Sequence, residues 1–406
     1  ISYTRNHTIK QIASAAHIYG KELCQAESFT AYSDIFVSDP YKIKAVGDLA
    51  FCDGLTRMVF HQWIHQPDLE RVPGTWSRPR GRTDIGTKFG HTRAWWPMAD
   101  GWLSYLARCQ YMLRQGKFMA DFAYLQDERI PTYVVSRPGE KPQCPPGYDY
   151  DALHAELLQT RASAEDGRLQ LESGMHYRSL VLPPDPDAIL SPSTKKKIKE
   201  LAEAGVQVIG PGYREGTLED ILSADGLVPA IEFRNASPNA RFEKIHRRDG
   251  EIEIFFISNQ AVKEIHADVT FRVSGKQPEL WNPVTGKTRE LPEWSEESGR
   301  TVVPMTFAAK ESSFVVFRKQ AKAKKTRGAE NFPELTALKP LSGPWQVSFD
   351  PKWGGPESIV FDELVDWTQR PEEGIRYYSG IATYRKVFSL QSSVCSNQNA
   401  RGASPQ

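Results

Sequence analysis

The sequence lacks an excess of charge of either sign, because 51 Lys and Arg residues are matched by 50 Asp and Glu residues for a net charge of +1. A chain so close to neutrality has no overall attraction for nucleic acid or for an anionic membrane surface, and we expect neither as a partner. The sequence also lacks any run near the roughly 20 apolar residues that a bilayer-spanning helix needs. We therefore expect no membrane span and a ligand that is recognised by a local site.

Cysteine is scarce, and its spacing excludes the common cysteine chemistries. The five residues, Cys24, Cys52, Cys109, Cys144 and Cys395, form no CxxC pair and have no neighbouring histidine pattern of a zinc site. We interpret them as small buried apolar side chains. The GxSxG turn of serine hydrolases is also absent, which disfavours that chemistry.

The two ends of the chain differ from the rest. The sequence begins at Ile1 without the basic-then-apolar pattern of a secretion signal, and we expect that the natural start lies upstream. Residues 391–406 contain no aromatic side chain and no apolar period, which predicts a disordered tail. The length of 406 residues predicts roughly two to four domains.

Aromatic residues are present in quantity, and tryptophan is clustered. Five of the ten Trp residues lie between positions 63 and 102, and the next is Trp281. Aromatic faces stack on the C–H faces of sugar rings, but a bulky hydrophobic core has the same composition. The cluster is therefore a hint of carbohydrate binding that composition alone leaves open.

Residues 1–132 alternate strand-like and helix-like patterns, which is the order of parallel βα units. Asp39 and Pro40 supply an N-cap and a first-turn proline for a helix that ends before Gly54. A second helix has Trp102 on its apolar side and ends at Gly116. The predicted strands are residues 21–29, 57–62 and 118–125. Together these elements predict the later part of a (β/α)8 barrel.

The rest of the chain is predicted to form α/β and β domains, so the fold class is α/β plus β. Buried-strand runs at 179–182 and 206–209 flank a helix that opens at Ser191 and Pro192, which is typical of a parallel crossover. Short alternating strands at 252–258, 268–273, 279–281, 301–305 and 313–318 predict a β-sandwich. The predicted domains after the barrel are an α/β domain (133–228), a β-sandwich (229–318), a basic linker (319–340) and a truncated galactose-binding-like or jelly-roll sugar-binding domain (341–390).

Polar side chains follow the predicted barrel strands, at the end where barrel enzymes build their sites. Glu27 is the best single catalytic candidate, with a strand-end salt bridge as the alternative. His61 and His65 lie at and just past the next strand and could bind sugar hydroxyls or a metal; we prefer hydrogen bonding in a polar pocket. Asp127 and Glu128 follow a third strand and offer carboxylate oxygens to a sugar or a hard cation.

Three long segments carry a resemblance to a known family. AAHIYGKELCQAESFT (15–30), LAFCDGLTRMVFHQWIHQP (49–67) and RAWWPMADGWLSYLARCQYMLRQGKFMADFAYL (93–125) resemble the later barrel region of glycoside hydrolase family 106, the α-L-rhamnosidases. Residues 341–386, from LSGPWQVSFD to ATYRK, resemble the sugar-binding sandwich of the glycoside hydrolase family 2 type. The resemblance covers nearly the whole chain up to about residue 390.

The resemblance implies an activity and its substrate. It implies hydrolysis of terminal α-L-rhamnosyl linkages in plant-type glycans with inversion, so the partner is a rhamnose-containing oligosaccharide or polysaccharide. It also implies a secreted or periplasmic protein and a calcium ion that engages sugar hydroxyls, with ligands that remain unassigned. Two alternatives stay open: a non-catalytic carbohydrate-binding remnant, and another barrel-plus-sandwich glycosidase such as a β-galactosidase.

The resemblance also implies roles for individual residues. Glu27, in QAESF, matches one member of the family's acid and base pair, and we interpret it as the base that activates water. Its partner glutamate would lie upstream of Ile1. His61 and His65 are the expected partners of sugar hydroxyls. Trp95 and Trp96 are expected to form an apolar wall beside the deoxysugar methyl group, and Glu128 is a further oxygen donor.

Overall fold

The computed structural model describes residues 7–30, 38–61, 63, 89–90, 93–129, 134, 143–322, 330–334 and 336–389. The chain divides into two compact units. The large unit comprises Ile1–Trp63, Thr83–Lys88 and Ala99–Pro333, and the small unit comprises Ile64–Arg82, Phe89–Met98 and Glu334–Gln406. Among the described residues, no helix combines the length and the apolar character needed to cross a membrane.

The described segments form a mixed α/β structure with several sheets. The helices are α1 (His7–Ile18), α2 (Pro40–Cys52), α3 (Ala99–Met112), α4 (Ala155–Arg161), α5 (Pro186–Ile189), α6 (Pro192–Glu203), α7 (Leu218–Ala224) and α8 (Glu373–Arg376). The strands are β1 (Gln25–Ser28), β2 (Arg57–Phe60), β3 (Lys117–Phe118), β4 (Phe122–Leu125), β5 (Tyr150–Leu153), β6 (Ala162–Glu165), β7 (Arg168–Leu171), β8 (His176–Tyr177), β9 (Ser179–Val181), β10 (Gln207–Ile209), β11 (Ile231–Arg234), β12 (Phe242–Asp249), β13 (Ile252–Asn259), β14 (Ile265–Phe271), β15 (Lys276–Trp281), β16 (Thr288–Glu290), β17 (Ser295–Glu297), β18 (Arg300–Phe307), β19 (Ser312–Gln320), β20 (Trp345–Ser348), β21 (Ile359–Phe361) and β22 (Thr383–Arg385). Short 3-10 turns lie at Trp96–Met98, Pro351–Trp353 and Trp367–Gln369.

Helix α2 begins where the sequence predicts it. The Asp39 carboxylate accepts a hydrogen bond from the backbone N–H of Lys42 at 2.9 Å, and Pro40 occupies the first turn, so both predicted start signals are confirmed. The helix ends before Gly54, whose φ of +106° lies in the left-handed region. A Cβ at Gly54 would lie 2.6 Å from the Cβ of Ala13, so only glycine fits between α2 and α1.

Strands β10, β9, β4 and β5 form, in that order, a four-stranded parallel sheet. The sequence pattern predicts one barrel strand over residues 118–125, but the structure divides this segment between β3, which pairs with β12, and β4, which lies inside the parallel sheet. All four residues of β4 are buried, as in a central strand that is covered on both faces. The sequence of such a strand does not indicate which strands pair with it. The predicted domain boundary at residue 132 therefore separates β4 from the other three strands of its own sheet.

Helix α6 connects β9 to β10, so the predicted strand, helix, strand order is confirmed. Its N-cap is Ser191, as the sequence predicts, and the Ser191 hydroxyl accepts a hydrogen bond from the backbone N–H of Thr194 at 3.3 Å. Glu128, which follows β4, adds a second cap that the sequence does not reveal. Its Oε1 accepts hydrogen bonds from the backbone N–H of Ser191 at 3.0 Å and from the Thr194 hydroxyl at 2.5 Å. Glu128 thus fastens the β4 loop to the start of α6.

Two antiparallel sheets follow in the large unit and contribute to one hydrophobic core. One sheet has the order β11, β14, β18, β17, and the other has the order β16, β15, β19, β13, β12, β3. Their core includes Phe271 from the first sheet and Phe255 and Phe317 from the second, with Phe271 centred 4.9 Å and 5.1 Å from these two rings. The five strands predicted between residues 252 and 318 all overlap observed strands and are confirmed.

The sequence pattern predicts no strand at β12, because the sequence FEKIHRRD is too charged for a strand pattern. Tertiary partners satisfy its buried polar side chains. Lys244 pairs with Asp149 at 3.0 Å, and His246 contacts Glu253 at 2.7 Å. Arg247 donates hydrogen bonds to the backbone carbonyls of residues 115 and 116. Burial is the largest influence on Arg247 and lowers its pKa to about 10.

A buried carboxylate joins the helices of the large unit to its antiparallel sheets. Asp48 on α2 has no exposed surface. It accepts hydrogen bonds from Lys44 on the same helix and from Ser312 on β19, both at 2.6 Å, and from the Tyr105 hydroxyl on α3. Burial and the adjacent Asp48 carboxylate raise the pKa of Tyr105 well above its usual value, so Tyr105 stays a proton donor.

Helix α1 is held against the parallel sheet by two further buried carboxylates at the start of β5. Lys10 pairs with Asp149 at 3.2 Å. Asp151 accepts a hydrogen bond from the Tyr177 hydroxyl at 3.0 Å and contacts His17 Nδ1 at 2.8 Å. The polar face of α1 is therefore buried by charge pairing as well as by its apolar residues.

The described cysteines behave as the sequence predicts. Cys24, Cys52, Cys109 and Cys144 are buried and form no disulfide with one another. Burial raises the pKa of Cys24 to about 12, which keeps its thiol protonated at neutral pH. Cys395 lies outside the described residues, as does the predicted tail.

The small unit contains a three-stranded antiparallel sheet in the order β21, β20, β22. Its core brings together Val347, Phe349, Phe361, Ile375 and Tyr378. The sequence predicts a strand over residues 381–388, but the observed strand ends at residue 385. Beyond it, the side chain at position 387 is 99% exposed, so apolar surface lies open at this end of the strand.

We expect replacement of Asp48 by alanine to destabilise the large unit by about 3–5 kcal/mol, because it leaves the Lys44 ammonium and the Tyr105 hydroxyl without their buried acceptor. Urea unfolding followed by tryptophan fluorescence measures the loss. The matched control is Glu200→Ala, which removes an exposed pair with Lys196 and is expected to cost less than about 1 kcal/mol. Equal effects of the two substitutions would contradict the role given to Asp48.

We expect Glu128→Gln to lower stability by about 1 kcal/mol at neutral pH, the usual size of a helix-cap contribution. Burial raises the pKa of Glu128, but hydrogen bonds from Thr194 and Ser191 outweigh it and leave that pKa below its usual value. A lowered folded-state pKa stabilises the fold above the unfolded-state pKa, and the advantage disappears as the pH falls through the folded-state pKa. Thermal unfolding curves of wild type and variant should therefore converge at acid pH.

The neighbouring carboxylate provides the control for this measurement. Asp127 pairs with Arg129 at 2.5 Å, but the Arg129 side chain is largely exposed. Asp127→Asn is therefore expected to change stability by less than about 0.5 kcal/mol. A loss for Asp127→Asn that matched the loss for Glu128→Gln would show that Glu128 does not cap α6.

Candidate functional site

The candidate site lies on the parallel pair β1 and β2 in the large unit. In the pairing register Glu27 is opposite Val59, and the ladder continues one residue further because the backbone N–H of His61 donates to the carbonyl of Ser28 at 3.1 Å. Side chains alternate along a strand and paired residues share a face. Glu27, Val59 and His61 therefore lie on the same face of the pair, at the end where both strands finish.

The Glu27 carboxylate is exposed, and one of its oxygens is positioned by a neighbour. The Thr30 hydroxyl donates a hydrogen bond to Glu27 Oε1 at 2.6 Å. In the part of the chain that the structure describes, no residue bonds to Oε2. The adjacent Val59 is 46% exposed, so this face of the strand pair is open there. The arrangement leaves one carboxylate oxygen that can accept a proton from water or from a sugar hydroxyl.

His61 places a second polar group on the face of the strand pair that carries Glu27. Its Nδ1 atom is buried and has no hydrogen-bond partner among the described residues. Buried polar atoms in folded proteins nearly always have a partner, so an unpaired ring nitrogen is suited to a ligand. His65 lies outside the described residues.

An aromatic cluster supports the strand ends from the helix side. The ring of Phe29 lies 5.5 Å from Trp102 and 5.9 Å from Phe60, and Phe60 stacks on Trp102 at 5.4 Å. Phe29 has a φ of 64°, a left-handed conformation that is uncommon for a bulky residue. A Cβ at Gly47 of α2 would lie 3.3 Å from the Phe29 ring, so Gly47 makes room for it. This cluster fixes the backbone two residues after Glu27.

The predicted tryptophan wall belongs to the small unit. The rings of Trp95 and Trp96 are half-buried, with centroids 5.6 Å apart, and Trp95 meets Phe89 edge to face at 6.3 Å. Burial lowers the pKa of the nearby Arg93 to about 10. Contact of these rings with a sugar methyl group stays a prediction.

Glu128 follows β4, which belongs to a different sheet from β1 and β2. Its Oε1 is engaged at the start of α6, and no contact between described residues joins it to Glu27. Its proposed contact with sugar stays a prediction. Two features of the site are not predicted from the sequence. The first is the hydrogen bond from Thr30 to Glu27, for which the spacing of three residues is the available signal. The second is the left-handed conformation of Phe29, for which the sequence holds no signal.

The described side chains assign no ligands to the expected calcium ion. Within residues 7–389, gaps excepted, no group of three or more His, Cys, Asp or Glu side chains could hold a metal ion. Calcium takes six to eight oxygen ligands, and the hydrogen bond that the Glu27 carboxylate makes within the described residues comes from the Thr30 hydroxyl. No step of the chemistry below is therefore assigned to calcium.

Comparison with known proteins agrees with these features. A protein from Formosa agariphila named putative beta-glucuronidase is 31% identical over an alignment of 344 residues that covers 78% of this chain and 28% of that protein. The solved structure of a rhamnosidase from Novosphingobium sp. PP1Y is 29% identical, with a TM-score of 0.84, and the match covers 94% of this chain and 40% of that one. The chain thus spans well under half the length of either relative.

A family model described as alpha-L-rhamnosidase matches residues 2–216 and 212–295, which is more than half of the chain and includes the whole Glu27 site. The chain belongs to glycoside hydrolase family 106, the alpha-L-rhamnosidase family.

Proposed function

We propose that this chain carries part of the active site of a glycoside hydrolase that removes terminal α-L-rhamnosyl groups from oligosaccharides or polysaccharides. The observation that carries the proposal is the position of Glu27, which is exposed near the carboxyl end of a parallel strand. It lies on the same face as His61, whose buried Nδ1 has no partner among the described residues. Enzymes with parallel βα units place their catalytic groups at this end of the strands. Family membership supports the reaction class.

The proposed chemistry is a single displacement with inversion. Glu27 Oε2 accepts a proton from a water molecule as the water oxygen bonds to the anomeric carbon. The bond from that carbon to the leaving-group oxygen breaks at the same time, and a carboxylic acid protonates that oxygen. The hydrogen bond from Thr30 occupies Oε1 and so directs Oε2 towards the water. The carboxyl groups of an inverting pair lie roughly 6.5–9.5 Å apart, so the acid need not contact Glu27. We propose, on the family resemblance alone, that the acid lies in sequence upstream of Ile1.

The sugar contacts are proposed from the same site. His61 Nδ1 is the group we assign to a rhamnose hydroxyl, because it is buried and lacks a partner among the described residues. His65, Trp95, Trp96 and Glu128 remain proposed contacts on the strength of the family resemblance. A calcium ion that engages sugar hydroxyls is proposed on the same basis alone, as is a secreted or periplasmic location.

The finer architecture is also a proposal. We assign the β1, α2, β2, α3 segment to a (β/α)8 barrel, supported by the parallel pairing of β1 with β2 and by the order of the elements. We assign the two antiparallel sheets that share a core to a β-sandwich, and the small unit's sheet to a sugar-binding module. A barrel and a β-sandwich are the parts expected of this hydrolase family.

The test is Glu27→Gln in the longest natural reading frame that contains these 406 residues. Glutamine keeps the size and the Thr30 hydrogen bond but cannot accept the water proton. We expect hydrolysis of p-nitrophenyl α-L-rhamnoside to fall by about 10²–10⁴-fold, the usual contribution of a general base, with rhamnose binding changed by no more than a few-fold. NMR of the first-formed anomer should show inversion in the wild type.

The matched control is Glu22→Gln, an exposed glutamate just before β1 that should retain full activity. Because Glu27 is exposed, neither substitution should shift the thermal unfolding midpoint. If Glu27→Gln kept more than about a tenth of the wild-type rate, Glu27 would have to be reassigned to a structural role.

The 406-residue chain on its own gives a second test. We expect it to hydrolyse aryl α-L-rhamnosides no faster than buffer, because loss of one member of an acid and base pair removes about 10²–10⁴ in rate and a barrel that is present only in part removes more. Turnover clearly above that of a mock preparation would contradict this prediction.

A further inference from the structure

A cleft of about 460 Å³ lies in the large unit between α3 and the turn that joins β15 to β16. Its volume is in the range of small-molecule sites. None of its side chains belongs to the site around Glu27. The residues that line it are Ala107, Arg108, Tyr111, Met112, Trp281, Asn282, Pro283, Gly286, Lys287, Thr288 and Phe314.

Two aromatic rings give the cleft its character. Tyr111 on α3 is 60% exposed, although it lies on a helix whose other large apolar side chains face the core. Trp281 at the end of β15 is half-buried and held in place: its indole N–H donates to Glu279 Oε2 at 2.9 Å, and the Arg318 guanidinium lies 5.2 Å from its ring centre. Fixed aromatic surfaces beside polar groups suit a pyranose ring, whose C–H face stacks on them.

The turn opposite α3 is rigid. The Asn282 side-chain oxygen accepts hydrogen bonds from the backbone N–H groups of residues 284 and 285, and Gly286 supplies a φ of +72°. Arg108 then fastens the turn to α3, because its Nη1 donates to the carbonyls of Pro283 at 3.0 Å and Val284 at 2.8 Å. A preformed cleft binds its ligand without the cost of ordering the loop.

The charged residues that line the cleft have one sign. Arg108 and Lys287 are among its lining residues, which include no Asp or Glu in the described chain. Lys287 is exposed, and no described residue pairs with its ammonium group. A sugar that carries an anion satisfies both the aromatic and the cationic groups. We propose that this cleft binds an acidic glycan, with a pyranose ring stacked on Tyr111 and Trp281 and its carboxylate or sulfate paired with Lys287.

The inference is independent of the proposed hydrolysis and is tested by binding to the 406-residue chain. Affinity electrophoresis uses gels that contain polygalacturonate, dextran sulfate or neutral dextran. We expect retardation by at least one acidic polymer and none by dextran, with weaker retardation at high salt because the ion pair is screened. The two acidic gels distinguish a carboxylate from a sulfate ligand.

Two variants locate the binding to the cleft. Tyr111→Ala and Lys287→Gln change exposed side chains, so both should fold, and each is expected to weaken the interaction about fivefold or more. The controls are Tyr213→Ala and Lys263→Gln, exposed residues of the same types outside the cleft, which should bind as the wild type does. Equal retardation by dextran, no retardation by either acidic polymer, or equal binding by the cleft and control variants would each overturn the proposal.

Discussion

The fully buried Asp48 carboxylate is the interaction on which the large unit depends. A charge without exposed surface is costly unless every oxygen is satisfied, and here partners from α2, α3 and β19 converge on it. The result fixes two helices and a sheet in one geometry. Because Gly47 precedes Asp48 on α2 and makes room for the Phe29 ring, the same anchoring determines where the end of β1 lies. The position of Glu27 therefore depends on a carboxylate that takes no part in chemistry.

A second set of buried charges extends this dependence to the parallel sheet. Asp149 is shared between Lys10 of α1 and Lys244 of β12, so one carboxylate holds both a helix and a strand of the antiparallel sheets. Such pairs contribute geometric specificity more than net stability, because desolvation offsets most of their attraction. The apolar cores supply the driving force for folding, and the buried pairs select one arrangement of the elements.

The sequence predicts individual helices and strands of this protein better than it predicts which elements pack or pair with each other. The cap at Asp39 and the cap at Ser191 are local signals, and both helices begin there. Strand β12 is not predicted, because its charged side chains are typical of an exposed segment. In the folded protein Asp149 and Glu253 lie beside these side chains and pair with them. At the candidate site, the strand-end position of Glu27 can be recognised in the sequence. The burial of His61 Nδ1 cannot, because it results from tertiary packing. The cleft at Trp281 joins segments about 170 residues apart, a distance that no local pattern spans.

The pairing of β3 with β12 has an evolutionary consequence. Strand β3 has two residues, and both pair with β12. They connect the segment immediately after α3 to a strand more than 120 residues later. At Gly116 the backbones approach so closely that an added Cβ would lie 2.0 Å from the carbonyl oxygen of Arg248. Recombination that exchanged the antiparallel sheets for those of a distant relative would have to exchange this contact as well. The helical and the sheet segments of the large unit are therefore expected to be inherited together, as one block rather than as separable modules.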